Sequence, residues 1–169
     1  MPQGVTLASI SSGGEPLTDD LITWAKDALG AEVNELYGQT ECNLCVSTAR
    51  VAGVNKPGTM GQAVPGFEVV VLGASGPVIG ELGQIAVHRS APSTMLKYWN
   101  KPDATQAKFT GDYLITGDLG IKDTDGYLSF VARDDDVITS AGYRIGPTEI
   151  EAALTRDPDV ILAAAVAVP

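Results

Sequence analysis

The sequence has 169 residues, 44% of them hydrophobic, which is enough for about one domain with a core of its own. Its formal net charge is −10, and its few basic residues do not cluster, which argues against a nucleic-acid backbone or an anionic membrane as partner. The sequence shows no membrane-length apolar run, no secretory signal and no disulfide framework, so we expect a cytoplasmic protein without a membrane span.

Residues 1–45 predict a β-loop-α-β unit of the kind found in α/β sheets. The segment "VTLASI" at 5–10 predicts a buried strand, and "SSGGEP" after it predicts a loop. Residues 17–30 carry one apolar stripe behind a Thr or Asp cap, and Gly30 stands where a helix-ending glycine belongs, so they predict a helix. The segment "VNELY" at 33–37 predicts the next strand.

From about residue 46 to residue 132, glycine and proline residues separate short β-rich segments. This pattern predicts a small open barrel or twisted sheet. The predicted strands are 67–72, 83–88, 113–116 and 127–132. The segment "DTDG" reads as a hairpin turn, because the spacing and the distal glutamate of a calcium loop are missing.

Residues 136–169 predict the start of an α+β unit. A short strand at 137–140 precedes a helix for which Gly146 is the cap and Pro147 the first helical residue. The final segment, "VILAAAVAVP", predicts an apolar strand without a partner, and an exposed apolar edge of that kind favours aggregation. We therefore expect the chain to be a piece of a longer protein.

Five polar clusters are candidates for a binding site, although each alone has an ordinary explanation as a turn, a solvated charge run or a helix cap. The clusters are "SGGEP" (12–16), "YGQTE" (37–41), "TGD" (116–118), "ARDDD" (132–136) and "SAGYRIG" (140–146). Taken together, they carry the chemistry that a nucleotide needs.

The base and the sugar of a nucleotide have matching groups in four of the clusters. Adenine needs a flat apolar face and backbone edges, which Tyr37 and the backbone of 14–16 could supply. A ribose diol is commonly held by a carboxylate, and Asp118 could provide it while Arg133 donates to the same sugar.

Phosphate and metal groups also have candidates. A phosphate needs backbone amides, a hydroxyl and a guanidinium, which point to Gly38, Thr40 and Arg144. Mg²⁺ prefers a hard carboxylate, and Glu41 follows the hydroxyl directly. The sequence therefore predicts a site for a nucleotide with its metal.

These clusters occur in the order and approximate spacing of the AMP-forming acyl-CoA synthetases, and the resemblance covers nearly all of the chain. That family belongs to the adenylate-forming superfamily, with luciferases and the adenylation domains of peptide synthetases. "YGQTE" and "SAGYRIGPTEIE" resemble most closely the acetyl- to medium-chain acyl branch.

The resemblance implies an α/β fold with a β-rich, barrel-like subdomain. The chain would be the C-terminal part of the large domain plus the start of a small α+β domain. The implied boundaries are 1–45 for the end of the α/β subdomain, 46–133 for the β-rich subdomain, 134–135 for the hinge and 136–169 for the incomplete small domain.

The resemblance also implies roles for individual residues. The residues implied to bind nucleotide or CoA are Gly14, Glu15, Pro16, Tyr37, Gly38, Gln39, Asp118, Arg133, Gly142 and Tyr143. Thr40, Glu41 and Arg144 are the implied catalytic residues: Thr40 would contact the α-phosphate, Glu41 would hold Mg²⁺, and Arg144 would approach the phosphate. The hinge would fall at Asp135, and Gly142 and Tyr143 would lie beside the pantetheine arm of CoA.

The implied activity joins a carboxylic acid to CoA through an acyl-adenylate, with ATP, Mg²⁺ and CoA as cofactors. The acid would be short- to medium-chain or aromatic, and homo-oligomer formation is left open. Two alternatives remain: an adenylation domain that loads a carrier protein, and a non-catalytic fragment that binds nucleotide or self-associates.

The sequence departs from the family pattern in several ways. The upstream lysine-bearing phosphate loop and the C-terminal lysine are absent, so we expect no carboxylate-dependent ATP–pyrophosphate exchange from these 169 residues alone. Asn43 follows the motif where many relatives have glycine, which leaves the acyl chain length undecided. Cys42 and Cys45 spell C-x-x-C but lack a second ligand pair, so we expect them to pack rather than to bind metal.

Overall fold

The computed structural model of the chain describes residues 7–14, 17–140, 143–157 and 159–167. Within these residues, ten strands form one mixed sheet and two further strands form a separate hairpin. The strands of the large sheet are β1 (Ile10–Gly13), β2 (Val33–Gln39), β3 (Asn43–Ser47), β4 (Gly61–Ala63), β5 (Val69–Gly73), β6 (Gly76–Val78), β7 (Leu82–His88), β8 (Phe109–Thr110), β9 (Tyr113–Lys122) and β10 (Tyr127–Arg133). The hairpin is β11 (Ile138–Ser140) and β12 (Tyr143–Ile145), and the α-helices are α1 (Asp19–Leu29), α2 (Pro102–Ala107) and α3 (Pro147–Leu154).

The sheet order is β1-β2-β3-β4-β10-β9-β7-β5-β6, with β8 paired to β9. β1 runs parallel to β2, and the other described pairs are antiparallel. The parallel pair belongs to the β-loop-α-β unit that the first 45 residues predict, whereas the antiparallel strands form the β-rich part.

The sheet is strongly curved. β2 and β9 are four strand steps apart, a separation of about 19 Å in a flat sheet. Nevertheless, the hydroxyl of Tyr37 on β2 lies 2.5 Å from Oδ2 of Asp118 on β9, and Nε2 of Gln39 lies 3.0 Å from the carbonyl oxygen of Thr116. The two strands therefore face each other across the inside of the curve.

One apolar core fills the concave side of the sheet. Ile85, Leu114, Leu128, Val46 and Val71 are fully buried in it, together with both cysteines. These residues come from five different strands of the sheet, so burial of their side chains stabilises the curvature as a unit.

Helix α1 has the termini that the sequence predicts. The Thr18 hydroxyl accepts a hydrogen bond from the Leu21 amide at 3.4 Å, and Gly30 ends the helix with φ 66°. Helix α3 begins after Gly146 with Pro147 as its first residue, also as expected. At 11 residues α1 is the longest described helix, and none of the described helices is long and apolar enough to cross a membrane.

Several predicted strands lie elsewhere. The first strand is Ile10–Gly13, which shares only Ile10 with the predicted strand 5–10 and continues into the segment predicted as a loop, while residues 5 and 6 lie outside the described residues. The segment predicted as strand 113–116 continues to Lys122, so "TGD" lies inside a strand and not in a turn. Within 159–167 no strand forms, so the apolar C-terminal strand was a wrong prediction for these residues.

β3 was not predicted, and it spans the composition change at residue 45. The division into 1–45, 46–133, a hinge and 136–169 stays a prediction. The segment "DTDG" is the predicted hairpin turn between β9 and β10, where the Asp123 carboxylate accepts hydrogen bonds from the amides of Asp125 and Tyr127 at 2.9 Å each.

Candidate functional site

A cavity of about 1010 Å³ opens where β2 faces the neighbouring strands β9 and β10. Eight of the residues expected to bind nucleotide or metal line it: Gly14, Tyr37, Gly38, Gln39, Thr40, Glu41, Asp118 and Arg133. They come from four distant parts of the chain, so the curvature of the sheet brings them together.

The other residues predicted to contact the nucleotide or CoA do not line this cavity among the described residues. Glu15, Pro16 and Gly142 lie outside the described residues. Tyr143 and Arg144 lie on β12, where they pair with Ser140 and Thr139. Their roles stay predictions.

Asp118 is the centre of the cavity's polar wall. Its side chain is only 9% exposed, and it accepts hydrogen bonds from the Tyr37 hydroxyl at 2.5 Å and from Nη1 of Arg133 at 3.3 Å. Its backbone amide donates to Oγ1 of Thr116 at 3.1 Å. Two donors thus orient a nearly buried carboxylate toward the cavity, which suits it to accept hydrogen bonds from a diol.

Tyr37 remains a donor under all ordinary conditions. Burial, and then its hydrogen bond to the Asp118 carboxylate, raises the pKa of the Tyr37 phenol above its usual range. The hydroxyl is therefore committed to Asp118 in this structure, while its ring lines the cavity. The predicted stacking of Tyr37 on adenine stays a prediction.

Arg133 connects Asp118 with the predicted hinge. Its side chain is 47% exposed and reaches Asp118 through Nη1, while Nε lies 3.1 Å from Oδ1 of Asp135. Gly117 opposite it has φ 86°, a conformation that β-carbon-bearing residues rarely adopt, and an added Cβ would lie 3.6 Å from Nη2 of Arg133. The pair with Asp135 holds the pKa of that carboxyl below its usual value.

Lys108, which the sequence did not single out, also lines this cavity. Nζ of Lys108, just after α2, donates to the carbonyl oxygen of Thr116 at 3.2 Å, and Gln39 donates to the same oxygen. Lys108 lines the cavity beside Glu41 and helps to lower the pKa of that carboxyl. Its segment, "DATQAKF", reads as an ordinary helix end, so the sequence held no signal for it.

Thr40 and Glu41 lie in the tight turn between β2 and β3. Oε1 of Glu41 accepts a hydrogen bond from the Tyr98 hydroxyl at 2.5 Å, and that bond is the main reason that the pKa of Glu41 lies below its usual value. The same bond raises the pKa of Tyr98 to about 12. The structure thus keeps an ionised carboxylate at the cavity wall.

This carboxylate fits Mg²⁺ of the kind that arrives with a nucleotide. Such an ion is usually bound by one or two carboxylates plus substrate phosphates and keeps several waters. Glu41 supplies one ionised carboxylate beside the Thr40 hydroxyl. Among the described residues no group of three or more His, Cys, Asp or Glu could hold a metal without a substrate.

The hairpin itself requires the absence of a side chain at Gly38. An added Cβ would overlap the carbonyl oxygen of Asn43 and lie 2.8 Å from the Cα of Leu44, at the point where the register between β2 and β3 shifts. Asn43 has φ 60°, and its side chain accepts a hydrogen bond from the Leu44 amide at 2.8 Å. Both residues therefore shape the turn, and contact with phosphate or acyl chain stays a prediction for them.

The two cysteines are free and fully buried in the core. The Cys42 thiol donates to the Asn43 carbonyl, and the Cys45 thiol donates to the Tyr37 carbonyl. The hydrogen bond to Cys42 and burial raise the pKa of Cys45, so its thiol stays protonated. This is the packing role expected from the sequence.

Comparison with known proteins agrees with this geometry. The family model "AMP-binding enzyme" matches residues 3–99, more than half of the chain. The chain is 41% identical over 165 residues to the uncharacterized acyl-CoA ligase YtcI of Bacillus subtilis and 41% identical over 168 residues to the mitochondrial acyl-coenzyme A synthetase ACSM2 of the rat. It covers 31% and 29% of these relatives, which in turn match 96% of the chain.

A solved structure shows the same fold. O-succinylbenzoate coenzyme A synthetase (MenE) of Bacillus subtilis, in complex with ATP and magnesium ion, superimposes with a TM-score of 0.82 at 32% identity. The match covers 92% of this chain and 33% of MenE.

The curved sheet and its polar cavity thus define an adenylate-forming fold, and the fold class expected from the sequence is confirmed. The chain belongs to the family of AMP-binding enzymes. It spans about a third of the length of the relatives that it matches.

Proposed function

We propose that the chain forms the nucleotide-binding part of an AMP-forming carboxylate–CoA ligase. Such an enzyme converts a carboxylic acid, ATP and CoA into an acyl-CoA, AMP and pyrophosphate. The observation that carries the proposal is the cluster of Tyr37, Asp118 and Arg133 on the wall that also presents Glu41. The names of the two relatives, an acyl-CoA ligase and an acyl-coenzyme A synthetase, support CoA as the acceptor of the acyl group.

The reaction has two steps. A carboxylate oxygen of the acid attacks the α-phosphorus of ATP, and pyrophosphate leaves with the electrons of the broken P–O bond. The thiolate of CoA then attacks the acyl carbon of the adenylate, and AMP leaves. Mg²⁺ held by Glu41 would supply charge stabilisation for the phosphates.

The residues of the cavity have separate roles in these two steps. Asp118 accepts hydrogen bonds from the ribose diol, and Arg133 orients that carboxylate. Thr40 and Lys108 offer a hydroxyl and a cation on the same cavity wall as Glu41, which suits the charge that develops on the α-phosphate. In this proposal Asp135 is the hinge, and Arg144 and Tyr143 approach the site when the small domain turns.

The acid is proposed to be short- to medium-chain or aromatic. A cytoplasmic location and homo-oligomer formation are also proposed; of the two relatives named above, ACSM2 is mitochondrial.

The test is binding of AMP by the 169-residue chain, measured by calorimetry. Replacing Asp118 with Asn removes the charge but keeps the shape, so the AMP affinity should fall at least about tenfold, as expected for a lost charged hydrogen bond. Asp112→Asn is the matched control, because Asp112 is exposed just before β9 and does not line the cavity.

An unchanged AMP affinity in folded Asp118→Asn protein would contradict the assignment of the cavity. In a full-length parent, replacing CoA by a phosphopantetheinyl carrier protein would separate the ligase from an adenylation domain. Thioester formation with the carrier, but not with CoA, would overturn the choice of acceptor.

A further inference from the structure

The loop that follows β7 is fastened to the turn that carries the predicted metal ligand. The Ser93 hydroxyl donates to the carbonyl oxygen of Cys42 at 2.6 Å, and the Met95 amide donates to the carbonyl oxygen of Glu41 at 2.7 Å. The Tyr98 hydroxyl then donates to the Glu41 side chain at 2.5 Å. Two bonds fix the backbone of the turn, and the third fixes the carboxylate.

The backbone of Tyr98 is held in place by helix α2. Its backbone amide donates to Oγ1 of Thr105 in α2 at 3.0 Å, and Oγ1 in turn donates to the Lys101 carbonyl at 2.8 Å. The Tyr98 side chain lines a second cavity of about 780 Å³, whereas Glu41 lines the nucleotide cavity. The hydrogen bond between the Tyr98 phenol and the Glu41 carboxylate therefore connects the walls of the two cavities.

We propose that Tyr98 is a positioning residue for Glu41, which holds Oε1 of the carboxylate and leaves Oε2 to the Mg²⁺ that accompanies the nucleotide. This inference rests on the function proposed above. A phenol suits the task because it donates one hydrogen bond without bringing a positive charge, so the carboxylate keeps its full charge for the cation. Outer partners of this kind orient ligands and commonly change metal affinity 10–100-fold.

The chain offers a matched control for this hydrogen bond. The Tyr113 hydroxyl donates to Oε1 of Glu68 at 2.7 Å, which is the same phenol–carboxylate pair outside the nucleotide cavity. Tyr98→Phe and Tyr113→Phe each delete one hydroxyl and keep the ring. A structural effect of losing such a bond should therefore appear in both variants.

The experiment measures the affinity of the 169-residue chain for ATP by calorimetry, once with Mg²⁺ and once with EDTA. The ratio of the two affinities is the metal effect. We expect Tyr98→Phe to reduce the metal effect about tenfold with the EDTA affinity unchanged, and Tyr113→Phe to leave both values as they are. Because Tyr98 acts through Glu41, Tyr98→Phe should add nothing in a Glu41→Gln background.

The outcomes separate the two proposals. An unchanged metal effect in Tyr98→Phe, or an equal loss with Mg²⁺ and EDTA, would overturn the positioning role while leaving the nucleotide cavity intact. Failure of the wild-type chain to bind ATP in either condition would overturn the proposed function and this inference with it. If Tyr98→Phe fails to fold, Thr105→Val decides, since it loosens the Tyr98 backbone, keeps the phenol and should lower the metal effect severalfold.

Discussion

The sheet region, residues 33–133, and the C-terminal region, residues 134–167, place their apolar side chains differently. Every buried apolar residue that the structure describes lies at or before Ala132. In the C-terminal region, Ile161 is 96% exposed and Leu162 is 85% exposed, although both are as apolar as the residues of the core.

The two regions also differ in how much they contribute to the cavity. The sheet region holds the polar wall of the cavity in place with its own hydrogen bonds, such as the one between Tyr37 and Asp118. The C-terminal region contacts the cavity only lightly: Ala152 of α3 lines it, and Gly146 lies against β10. The proposed movement of the C-terminal region about Asp135 would be helped by this light attachment.

The largest expected effect comes from matched isoleucine truncations in the two regions. Ile85 is fully buried, so Ile85→Ala should lower the free energy of unfolding by about 2–5 kcal/mol. Ile161→Ala removes the same atoms from an exposed side chain and should change it by no more than about 0.5 kcal/mol. Urea unfolding followed by circular dichroism measures both.

A cost of more than about 1 kcal/mol for Ile161→Ala would break the comparison. It would mean that Ile161 packs in solution, for example against a second copy of the chain. Repeating the measurement over a range of protein concentrations would then show whether that contact is between molecules.

An intermediate effect is expected from adding one methyl group at a glycine of each region. At Gly38, the new Cβ meets backbone inside the hairpin of β2 and β3, so Gly38→Ala should cost about 3 kcal/mol. At Gly146, the new Cβ would lie 2.9 Å from the carbonyl oxygen of Val131, and α3 can move away to relieve the contact. Gly146→Ala should therefore cost about 1 kcal/mol, the usual value for replacing a helix cap.

Thermal unfolding of the two glycine variants sharpens the comparison between regions. Equal losses would show that the C-terminal region is attached to β10 as firmly as β2 is to β3. A smaller loss of thermal stability for Gly146→Ala, with the AMP affinity of the cavity retained, would show that the C-terminal region can shift relative to β10 without disturbing the cavity.

The sequence predicted the parts of the fold that depend on local chemistry. Helix α1 begins after Thr18 and ends at Gly30 as expected, because capping depends on residues within one helical turn. β3 was not predicted, since "NLCVS" has no alternation, and β9 was predicted only as far as Thr116, since Gly117 reads as a turn residue.

The candidate site divides in the same way. The motif residues that line the cavity could be named from the sequence, because their chemical types and order match a family pattern. Tyr98 and Lys108 could not, because only the tertiary fold brings them to Glu41 and Thr116. Their segment resembles an ordinary loop and helix.

The smallest expected effect tests whether the sheet region is optimised for stability throughout. Glu35 lines the cavity beside Arg50, and burial raises the pKa of its carboxyl above the usual value. A raised carboxyl pKa means that ionised Glu35 opposes folding at neutral pH, and the opposition disappears as the pH falls through the pKa of the folded state. Glu35→Gln should therefore stabilise the chain slightly at pH 7 and make no difference once Glu35 is protonated.

Glu32 is the control of opposite sign. Its hydrogen bond with Lys26 at 2.7 Å lowers the pKa of the Glu32 carboxyl, so its contribution is present above the unfolded pKa and is lost as the pH falls through the folded pKa. Thermal melts of Glu35→Gln and Glu32→Gln from pH 7 to pH 4 should thus differ from wild type in opposite directions at pH 7 and converge on it in acid. Destabilisation by Glu35→Gln at pH 7 would mean that the charge of Glu35 serves the fold. Stabilisation would mean that this wall retains a carboxylate at a cost to its own stability, as expected of a surface kept for a ligand.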